Sequence, residues 1–374
     1  MSAEAAPGTP HVLDLTAADL RQALAAWGEP PYRAAQVRRW LYRRLATSFQ
    51  AMTDLPAALR ARLAEAFDVA PPAVVAQVDS LDGSTRKALL RLADGNTVEA
   101  VLMRYGRTAR GRARNTVCVS SQVGCAMGCV FCATGRQGFL RNLSPAEILA
   151  QVLHFARELA SEGGRVTNVV FMGMGEPMAN ERAVLQAVRE LNAPDGFGLA
   201  ARHITVSTVG LVSGIRRLAA EPLQVGLAVS LHAPNDTLRR RLVPTAGPTS
   251  VAAILEACRD YAARTGRRVT FEYALIDRVN DTPELARELA ARLQGLLCHV
   301  NLIPLNPIGD ERFRRPDRGR VLAFQQELAA RGIPCTVRVE KGVEIMAACG
   351  QLRGREGARS PAAARALLQP SATG

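Results

Sequence analysis

The sequence lacks both a long hydrophobic run and an N-terminal targeting pattern. None of its 374 residues lies in an apolar stretch of the roughly 18 residues that a membrane-spanning helix needs, so we expect no membrane span. The N-terminus, MSAEAAPGTPHVLDL, has no basic stretch followed by an apolar core, so we expect no signal peptide. Both absences favour a cytoplasmic protein, in which clustered cysteines more often serve metal or redox chemistry than structural disulfides.

Acidic residues are too few to balance the basic ones. There are 34 Asp and Glu against 47 Lys and Arg, which leaves a formal net charge of +13. A polyanion such as RNA or DNA is the simplest partner for clustered arginine, and the alternative is an arginine-rich surface that is merely solvated. The arginines form four clusters: Arg33, Arg38, Arg39, Arg43 and Arg44; Arg104, Arg107, Arg110, Arg112 and Arg114; Arg239, Arg240 and Arg241; and residues 312–320.

The sequence pattern predicts helices over residues 14–67. Val37, Trp40, Leu41 and Leu45 recur at helical spacing with arginine on the other face, which could meet phosphates. After Pro71 and Pro72, alternating stretches separated by Asp-Gly turns predict a short antiparallel sheet. A small helical unit followed by a small sheet is therefore expected.

From about residue 115 onward, short β-branched runs alternate with helical segments. Ser144, Pro145 and Glu147 mark one helix start as a capping box with proline in the first turn. Strands separated by helices predict an α/β fold with a parallel sheet, curled or closed as a barrel. In such folds, functional residues collect at the carboxyl ends of the strands. The predicted helices are 145–161, 181–192, 213–220, 251–265, 283–295 and 319–331.

Three of the eight cysteines, Cys125, Cys129 and Cys132, have C-x3-C-x2-C spacing. A structural zinc site would need a fourth ligand from a second cysteine pair, which is missing, or from a histidine such as His154 on the next predicted helix. A redox C-x2-C pair would not need Cys125. Three thiolates suit a four-iron cluster whose fourth iron is left open for a small molecule.

This spacing, with Phe131 directly before the last cysteine, resembles the signature of the radical S-adenosylmethionine superfamily. The resemblance implies a partial (βα)6 barrel and one 4Fe-4S cluster held by Cys125, Cys129 and Cys132. It also implies that S-adenosyl-L-methionine (SAM) binds the open iron and is split to a 5′-deoxyadenosyl radical.

Polar residues at the ends of later predicted strands fit the same cofactor. GMGEP at 173–177 resembles the stretch that meets the amino group of SAM, so Gly175 and Glu176 are assigned there. Each of the others has an ordinary alternative as a cap, a buried histidine or a turn residue. The remaining expected SAM-binding residues are Ser207, Ser230, Leu231, His232 and Asn306.

Longer motifs resemble the RNA adenine-C2 methyltransferases of the RlmN family, over about residues 12–353. The resemblance implies methylation of an adenine in the peptidyl-transferase loop of 23S rRNA and, in some members, of the adenine 3′ to the tRNA anticodon. It further implies two SAM molecules per turnover, an electron donor such as flavodoxin or ferredoxin, and a monomer. The motifs are CVSSQVGCAMGCVFCATGRQGFLRNLSPAEI, FMGMGEPMAN, VSTVG, SLHAPND, LIPLNP, AACGQL, GEPPYRAAQVRRWLY and DGNTVEAVLM.

The same resemblance assigns two further cysteines and one glutamate to catalysis. Cys349 would carry the methyl group as S-methylcysteine and become covalently joined to adenine C2. Glu99 would accept the C2 proton, although a strand glutamate is ordinarily a solvated residue. Cys118 would then attack the sulfur of Cys349, releasing the methylated base and leaving a transient disulfide. The other cysteines, Cys258, Cys298 and Cys335, are expected to be buried thiols.

The sequence predicts four segments. They are a flexible N-terminus at 1–12, an accessory RNA-binding domain at 13–105, a core barrel at 106–349 and a disordered tail at 350–374.

Departures from the family pattern leave substrate choice more open than the reaction type. Lys341 and Val343 replace the usual residues before the last cysteine, and Arg278 stands where glycine is usual. We expect these positions to lie away from the chemistry and to affect RNA contacts. Two other functions remain open: an adenine-C8 rRNA methyltransferase of the antibiotic-resistance type, and a non-enzymatic iron–sulfur protein that binds RNA or transfers electrons.

Overall fold

The computed structural model describes residues 8–106, 113–246, 249–310, 312–338 and 341–354. The start of the predicted flexible N-terminus (1–7) and most of the predicted disordered tail (355–374) therefore lie outside the described residues, as does part of the basic connector (107–112). Within the described ranges, no helix is long and apolar enough to cross a membrane.

The N-terminal part is helical, as predicted, and contains three α-helices among the described residues. They are α1 (Ala17–Ala26), α2 (Tyr32–Tyr42) and α3 (Ala57–Ala66). A capping box starts α1, because the side chain of Thr16 accepts from the amide of Asp19 and the Asp19 carboxylate accepts from the amide of Thr16. The apolar faces of these helices join the same hydrophobic core as the sheet that follows.

The described strands form one ten-stranded sheet and a separate two-stranded hairpin. Strands β1 to β4 pair antiparallel, β4 pairs parallel with β7, and every later neighbour in the sheet is parallel. The predicted antiparallel sheet is thus continuous with the predicted parallel one. The strands are β1 (Ala73–Asp79), β2 (Thr85–Arg91), β3 (Thr97–Tyr105), β4 (Arg114–Cys118), β5 (Gln122–Gly124), β6 (Phe139–Asn142), β7 (Asn168–Phe171), β8 (Ile204–Thr208), β9 (Gly226–Ser230), β10 (Val269–Leu275), β11 (Cys298–Pro304) and β12 (Cys335–Val337).

Helices alternate with the parallel strands, which confirms the predicted α/β class. The predicted capping box at Ser144 is present, with Glu147 bonded back to the Ser144 amide at 2.9 Å. The helices are α4 (Pro145–Ser161), α5 (Glu181–Asn192), α6 (Val212–Ala220), α7 (Asp236–Leu242), α8 (Val251–Thr265), α9 (Pro283–Leu293) and α10 (Arg318–Ala330).

Arg38 on α2, expected on the face that meets phosphates, is 3% exposed. Its guanidinium lies 2.7 Å from the carboxylate of Glu190 on α5 and 2.9 Å from that of Asp195 in the turn after α5. The expectation that this arginine faces RNA is wrong, because both carboxylates already neutralise and bury it. The pair with Glu190 fastens the helical unit to α5 of the α/β part, and breaking a buried pair costs about 3–5 kcal/mol.

Candidate active site

The loop that follows β5 carries Cys125, Cys129 and Cys132, and all three line one cavity of about 160 Å³. The amide of Cys125 donates to the carbonyl of Gly138, the residue just before β6, at 2.8 Å. The amide of Val130 donates to the carbonyl of Leu242 at the end of α7, at 3.1 Å. The hairpin and α7 therefore hold the cysteine loop from two sides.

The three thiols are the donor set that a four-iron cluster would use. Among the described residues, no three His, Cys, Asp or Glu side chains converge closely enough to hold one metal ion. A four-iron cluster instead takes each thiolate on a different iron. Burial raises the pKa of Cys125 to about 12 and that of Cys129 well above its ordinary value, and bound iron would supply the positive charge that stabilises these thiolates.

Most of the residues predicted to bind SAM line the same cavity. Leu231 does not: its side chain is fully buried, and its amide donates to the carbonyl of Glu272 at 3.1 Å. Residues from strands far apart in sequence meet here because the carboxyl ends of parallel strands share one edge of the sheet. The predicted residues that line the cavity are Gly175, Glu176, Ser207, Ser230, His232 and Asn306.

Glu176 lines this cavity, and backbone amides hold its carboxylate in place. Its carboxylate accepts from the amide of Val209 at 2.7 Å and from the amide of Met178 at 3.0 Å. Burial raises its pKa to about 7, although these bonds favour the charged form. Gly175, just before it, has φ +97°, and a Cβ there would lie 2.5 Å from the Cβ of Gln122, so this position requires glycine.

His232 is a neutral donor pointing into the cavity. Its Nδ1 accepts from the amide of Ala274 at 3.0 Å, so the ring proton lies on Nε2. Burial, assisted by the charge of Arg239, lowers the pKa of His232 to about 3. The ring packs edge-on against Phe131 of the cysteine loop, with centroids 4.7 Å apart.

A second cavity, of about 30 Å³, lies beside the first and is lined by Cys118 and Cys349. Cys349 lines both cavities. Cys118 ends β4, and the side chains of Val101, Met103 and Tyr105 on β3 face the same space. Cys349 therefore stands at the junction between the cysteine-loop cavity and Cys118. The other residues common to both cavities are Met172, Ile303, Asn306 and Arg338.

All eight cysteines are free thiols, including Cys118 and Cys349. Burial raises the pKa of Cys118 to about 12, with a further increase from the nearby Cys349 and a partial decrease from Arg338. Cys118 is thus protonated at neutral pH and is a poor nucleophile. Cys258 and Cys298 are buried as expected, whereas Cys335 is partly exposed.

Hydrogen bonds hold the segment that carries Cys349 against the cysteine loop. The carbonyl of Gly350 accepts from the amide of Ala133 at 2.7 Å, and that of Leu352 accepts from the hydroxyl of Thr134 at 2.6 Å. Asn306 donates to the carbonyl of Cys349 at 3.1 Å. The loop and this segment, more than 200 residues apart in the sequence, therefore form one unit.

Glu99 is buried on β3 at 3% exposure, so it is not the solvated strand residue that its type suggests. Its Oε1 lies 2.8 Å from Nζ of Lys87. Its Oε2 accepts from the amides of Arg353 and Gly354, at 2.6 and 3.2 Å. Glu99 does not line the cavity with Cys118, and both of its oxygens are occupied.

Lys341 corrects one expectation, because it lines the cavity with Cys118 and Cys349. Its ammonium lies 5.1 Å from the ring centroid of Tyr105, which lines the same cavity. Position 341 therefore borders the cavity that holds the two cysteines predicted to be catalytic. Arg278, in contrast, is an exposed loop residue with φ +55°, in the left-handed region that favours glycine.

Sequence reasoning missed Arg338 and Glu272, which also line the cavities. Arg338 directly follows β12, so it obeys the same strand-end rule that predicted the serines, and that signal could have found it. Glu272 lies inside β10, and no local pattern marks it. One of its oxygens accepts from Asn301 at 3.0 Å, and the other has no hydrogen-bond partner among the described residues.

Two of the predicted RNA-facing arginine clusters are partly withdrawn from the surface. Arg239 is 2% exposed, whereas its neighbours Arg240 and Arg241 are exposed. Arg320 is paired with Asp281 at 2.5 Å. The arginines that remain exposed on α2 and just after it include Arg39, Arg43 and Arg44.

Two protein families match parts of this chain. Residues 11–69 match the ribosomal RNA large subunit methyltransferase N-terminal domain. Residues 119–290 match the radical SAM superfamily.

Individual relatives extend the likeness over most of the chain. A ribosomal RNA large subunit methyltransferase N from Nitrosopumilus maritimus is 54% identical over 328 residues, covering 87% of this chain and 93% of the relative. A probable dual-specificity RNA methyltransferase RlmN from Roseiflexus castenholzii is 50% identical over 390 residues, covering 92% and 96%. The crystal structure of a radical SAM methyltransferase from Sphaerobacter thermophilus superposes with a TM-score of 0.88 at 53% identity, covering 92% of this chain and all of that one.

Proposed function

The chain belongs to the RlmN family of radical SAM methyltransferases, and on that premise we propose that it methylates C2 of an adenine in 23S rRNA. The adenine 3′ to the tRNA anticodon is the second substrate, by analogy with relatives named for dual specificity. The observation that carries the proposal is that Cys349 borders both the cysteine-loop cavity and the cavity of Cys118. A cysteine that accepts a methyl group from SAM and is later attacked by a second thiol must lie within reach of both the SAM site and that thiol.

The cofactors of the family are a 4Fe-4S cluster and SAM. When bound, they supply a methyl group for the cysteine and a 5′-deoxyadenosyl radical that abstracts hydrogen from it. Cys125, Cys129 and Cys132 would hold the cluster. Glu176 and His232 would orient SAM, together with Gly175, Ser207, Ser230 and Asn306, while the backbone of Leu231 carries His232 into position.

The target base would enter beside Cys118 and Cys349. The present space of about 30 Å³ holds only one or two waters, so the side chains around it must move to admit an adenine. Lys341 and Tyr105 line this space and are partly exposed, so they would be the side chains that move. A base reaching this depth must be unstacked from its RNA, and exposed arginines such as Arg39, Arg43 and Arg44 would hold the phosphates.

Cys118 and Glu99 would complete the reaction. Glu99 would take the C2 proton after its hydrogen bonds to Arg353 and Gly354 open. Cys118 would lose its proton and attack the sulfur of Cys349, which forms the S–S bond and breaks the bond between that sulfur and the methylene carbon on adenine C2. The methylene carbon would then take up a proton and become the methyl group of the released base. A cysteine disulfide remains, and an external thiol reductant must return it to two thiols before the next cycle.

Organisation and partners follow from the same proposal. The segments 13–105 and 106–349 act as an RNA-binding unit and a catalytic barrel, although their strands belong to one sheet. An electron donor such as flavodoxin or ferredoxin feeds the cluster, and the enzyme works as a monomer in the cytoplasm, where its RNA substrates are.

The test is nucleoside mass spectrometry of rRNA and tRNA from cells lacking the gene. We expect 2-methyladenosine to disappear and to return with the wild-type gene, but not with Cys349→Ala. Restoration of 8-methyladenosine alone would establish the adenine-C8 alternative. If the nucleosides of both RNAs are unchanged, the result would favour the alternative that the chain is a non-enzymatic iron–sulfur protein.

A further inference from the structure

Helix α7 carries a buried arginine directly behind the cysteine loop. Arg239 is 2% exposed and donates one hydrogen bond, to the carbonyl of Val209 after β8. Its Nε and the second terminal nitrogen, Nη1, have no hydrogen-bond partner among the described residues. A guanidinium is always charged and carries five donors, so most of its hydrogen-bonding capacity is unused.

The surroundings of Arg239 tie it to the cysteine loop. Leu238 and Leu242 on the same helix pack in one apolar cluster with Cys125 and Cys129. Leu242 also accepts the hydrogen bond from Val130 of the loop, and Thr245 donates to the carbonyl of Ala126 at 2.9 Å. The position of α7 relative to the three cysteines is therefore set by direct contacts.

The charge of Arg239 is poorly balanced in the protein alone. Burial lowers its pKa, and the acidic groups that counter this are the thiol of Cys129 and the carboxylates of Asp236 and Glu176. The Asp236 carboxylate is already used by the amide of Val251 at 2.6 Å, and that of Glu176 by two amides. A buried cation without a dedicated partner is unfavourable unless a further negative charge arrives.

We infer that Arg239 is a built-in counter-charge for the iron–sulfur cluster, which stabilises the reduced cluster and thereby favours delivery of its electron. Three thiolates on a four-iron core with charge +2 give a net charge of −1, and reduction makes it −2. A fixed cation nearby favours the more negative state, since net charge and hydrogen bonding set the potentials of such clusters. The inference rests on the proposed cluster site.

Arg239 also acts on the SAM cavity through Val209. The carbonyl of Val209 accepts from Arg239, while its amide donates to Glu176 at 2.7 Å. Val209 lines the cavity. A positioning effect through Val209 would change SAM affinity, whereas the counter-charge would change the reduction equilibrium, so the two effects can be measured separately.

The experiment compares Arg239→Gln, Arg239→Lys and the matched control Arg240→Gln, which alters an exposed neighbour on the same helix. Each protein is reconstituted with iron and sulfide under anaerobic conditions, and its cluster is titrated by electron paramagnetic resonance. Arg239→Gln should disfavour the reduced cluster by about tenfold or more, which is about 59 mV for one electron. Arg239→Lys and Arg240→Gln should stay close to wild type, and SAM affinity is recorded for all of them.

Thermal unfolding of the same proteins without the cluster gives an independent readout. Removing a cation that has no ion-pair partner among the described residues should leave the unfolding midpoint of apo Arg239→Gln equal to or above that of the wild type, while its loaded form releases iron faster to a chelator. An apo midpoint clearly below wild type, including failure to fold, would show that the charge is already satisfied and would overturn the inference. So would an unchanged reduction equilibrium in a loaded variant. If the wild type takes up no cluster, the proposed function fails instead.

Discussion

Lys87 and Glu99 form a buried ion pair on neighbouring strands, with Nζ 2.8 Å from Oε1 and both side chains at most 5% exposed. The pair holds both ends of the segment that carries Cys349. Lys87 donates to the carbonyl of Met346 at 3.1 Å, and Glu99 accepts from the amides of Arg353 and Gly354. A salt bridge in the N-terminal part of the sheet thus positions a cysteine about 250 residues away.

Replacing Lys87 by Met should lower the free energy of unfolding by about 3–5 kcal/mol, because it leaves the carboxylate of Glu99 buried without a counter-charge. Denaturant unfolding measures this loss, and hydrogen exchange at the amides of Arg353 and Gly354 should become faster. The double variant Lys87→Met/Glu99→Gln should recover a large part of the stability. Equal stability of the two variants would mean that the buried charge is not what destabilises the single one.

Cys118 and Cys349 should give opposite results when replaced by alanine. With Cys118→Ala the adduct cannot be resolved, so the protein should purify with RNA covalently attached. Cys349→Ala cannot form the adduct and should carry no RNA. Denaturing electrophoresis with and without ribonuclease separates the two outcomes, and Cys298→Ala is a matched control because Cys298 is buried at the start of β11, outside both cavities. Absence of a crosslink in Cys118→Ala alongside an active wild type would refute the assigned roles.

Arg338 should assist the resolving step. It lies at both cavities, and its charge partly offsets the burial that raises the pKa of Cys118 to about 12. In Arg338→Met that pKa should rise further, so less thiolate forms and more crosslinked RNA should remain with the purified protein.

The rate at which the crosslink is resolved should depend on pH. Raising the pH toward the pKa of Cys118 increases the thiolate, so resolution of the crosslink should accelerate with pH in the wild type and require higher pH in Arg338→Met. Arg338→Lys retains the charge and should behave closer to the wild type. A resolution rate that does not depend on pH in either protein would contradict this role.

Arg278 should be replaceable by Gly with a gain in stability. A φ of +55° costs a non-glycine residue about 1–2 kcal/mol, and glycine would remove that cost. Glycine also gives the unfolded chain more freedom, which lowers the stability by about 0.5–1 kcal/mol. A net increase of about 0.5–1 kcal/mol in the free energy of unfolding is expected. Arg278→Ala keeps the strained backbone and should change stability by less than about 0.5 kcal/mol; equal gains in both variants would point to the charge instead.

The predictions that succeeded depended on local chemistry. The alternation of strands and helices predicted the α/β class, and Ser144 with Glu147 predicted a helix start that the structure contains. The strand-end rule brought Ser207, Ser230, His232 and Asn306 to one cavity. These succeed because periodicity, capping and strand polarity are properties of a few neighbouring residues.

The predictions that failed concerned partners distant in sequence. Arg38 and Arg239 belong to runs that read as solvated, yet both are buried, one by carboxylates about 150 residues away. Lys341 was expected to be remote from the chemistry and lines its cavity. Charge patterns along the chain cannot distinguish an arginine that meets RNA from one that meets a buried acid.

The sequence by itself determined the chemistry available to this protein: three thiols at cluster spacing, two further cysteines, and the strand-end residues for a cofactor. Only the tertiary structure decided how these groups meet. It set Cys349 between two cavities, turned Arg239 inward behind the cysteine loop, and enclosed Glu99 between Lys87 and the amides of residues 353 and 354. The physical reason is that spacing and residue type are local, whereas burial and charge pairing depend on which distant segments the sheet brings together.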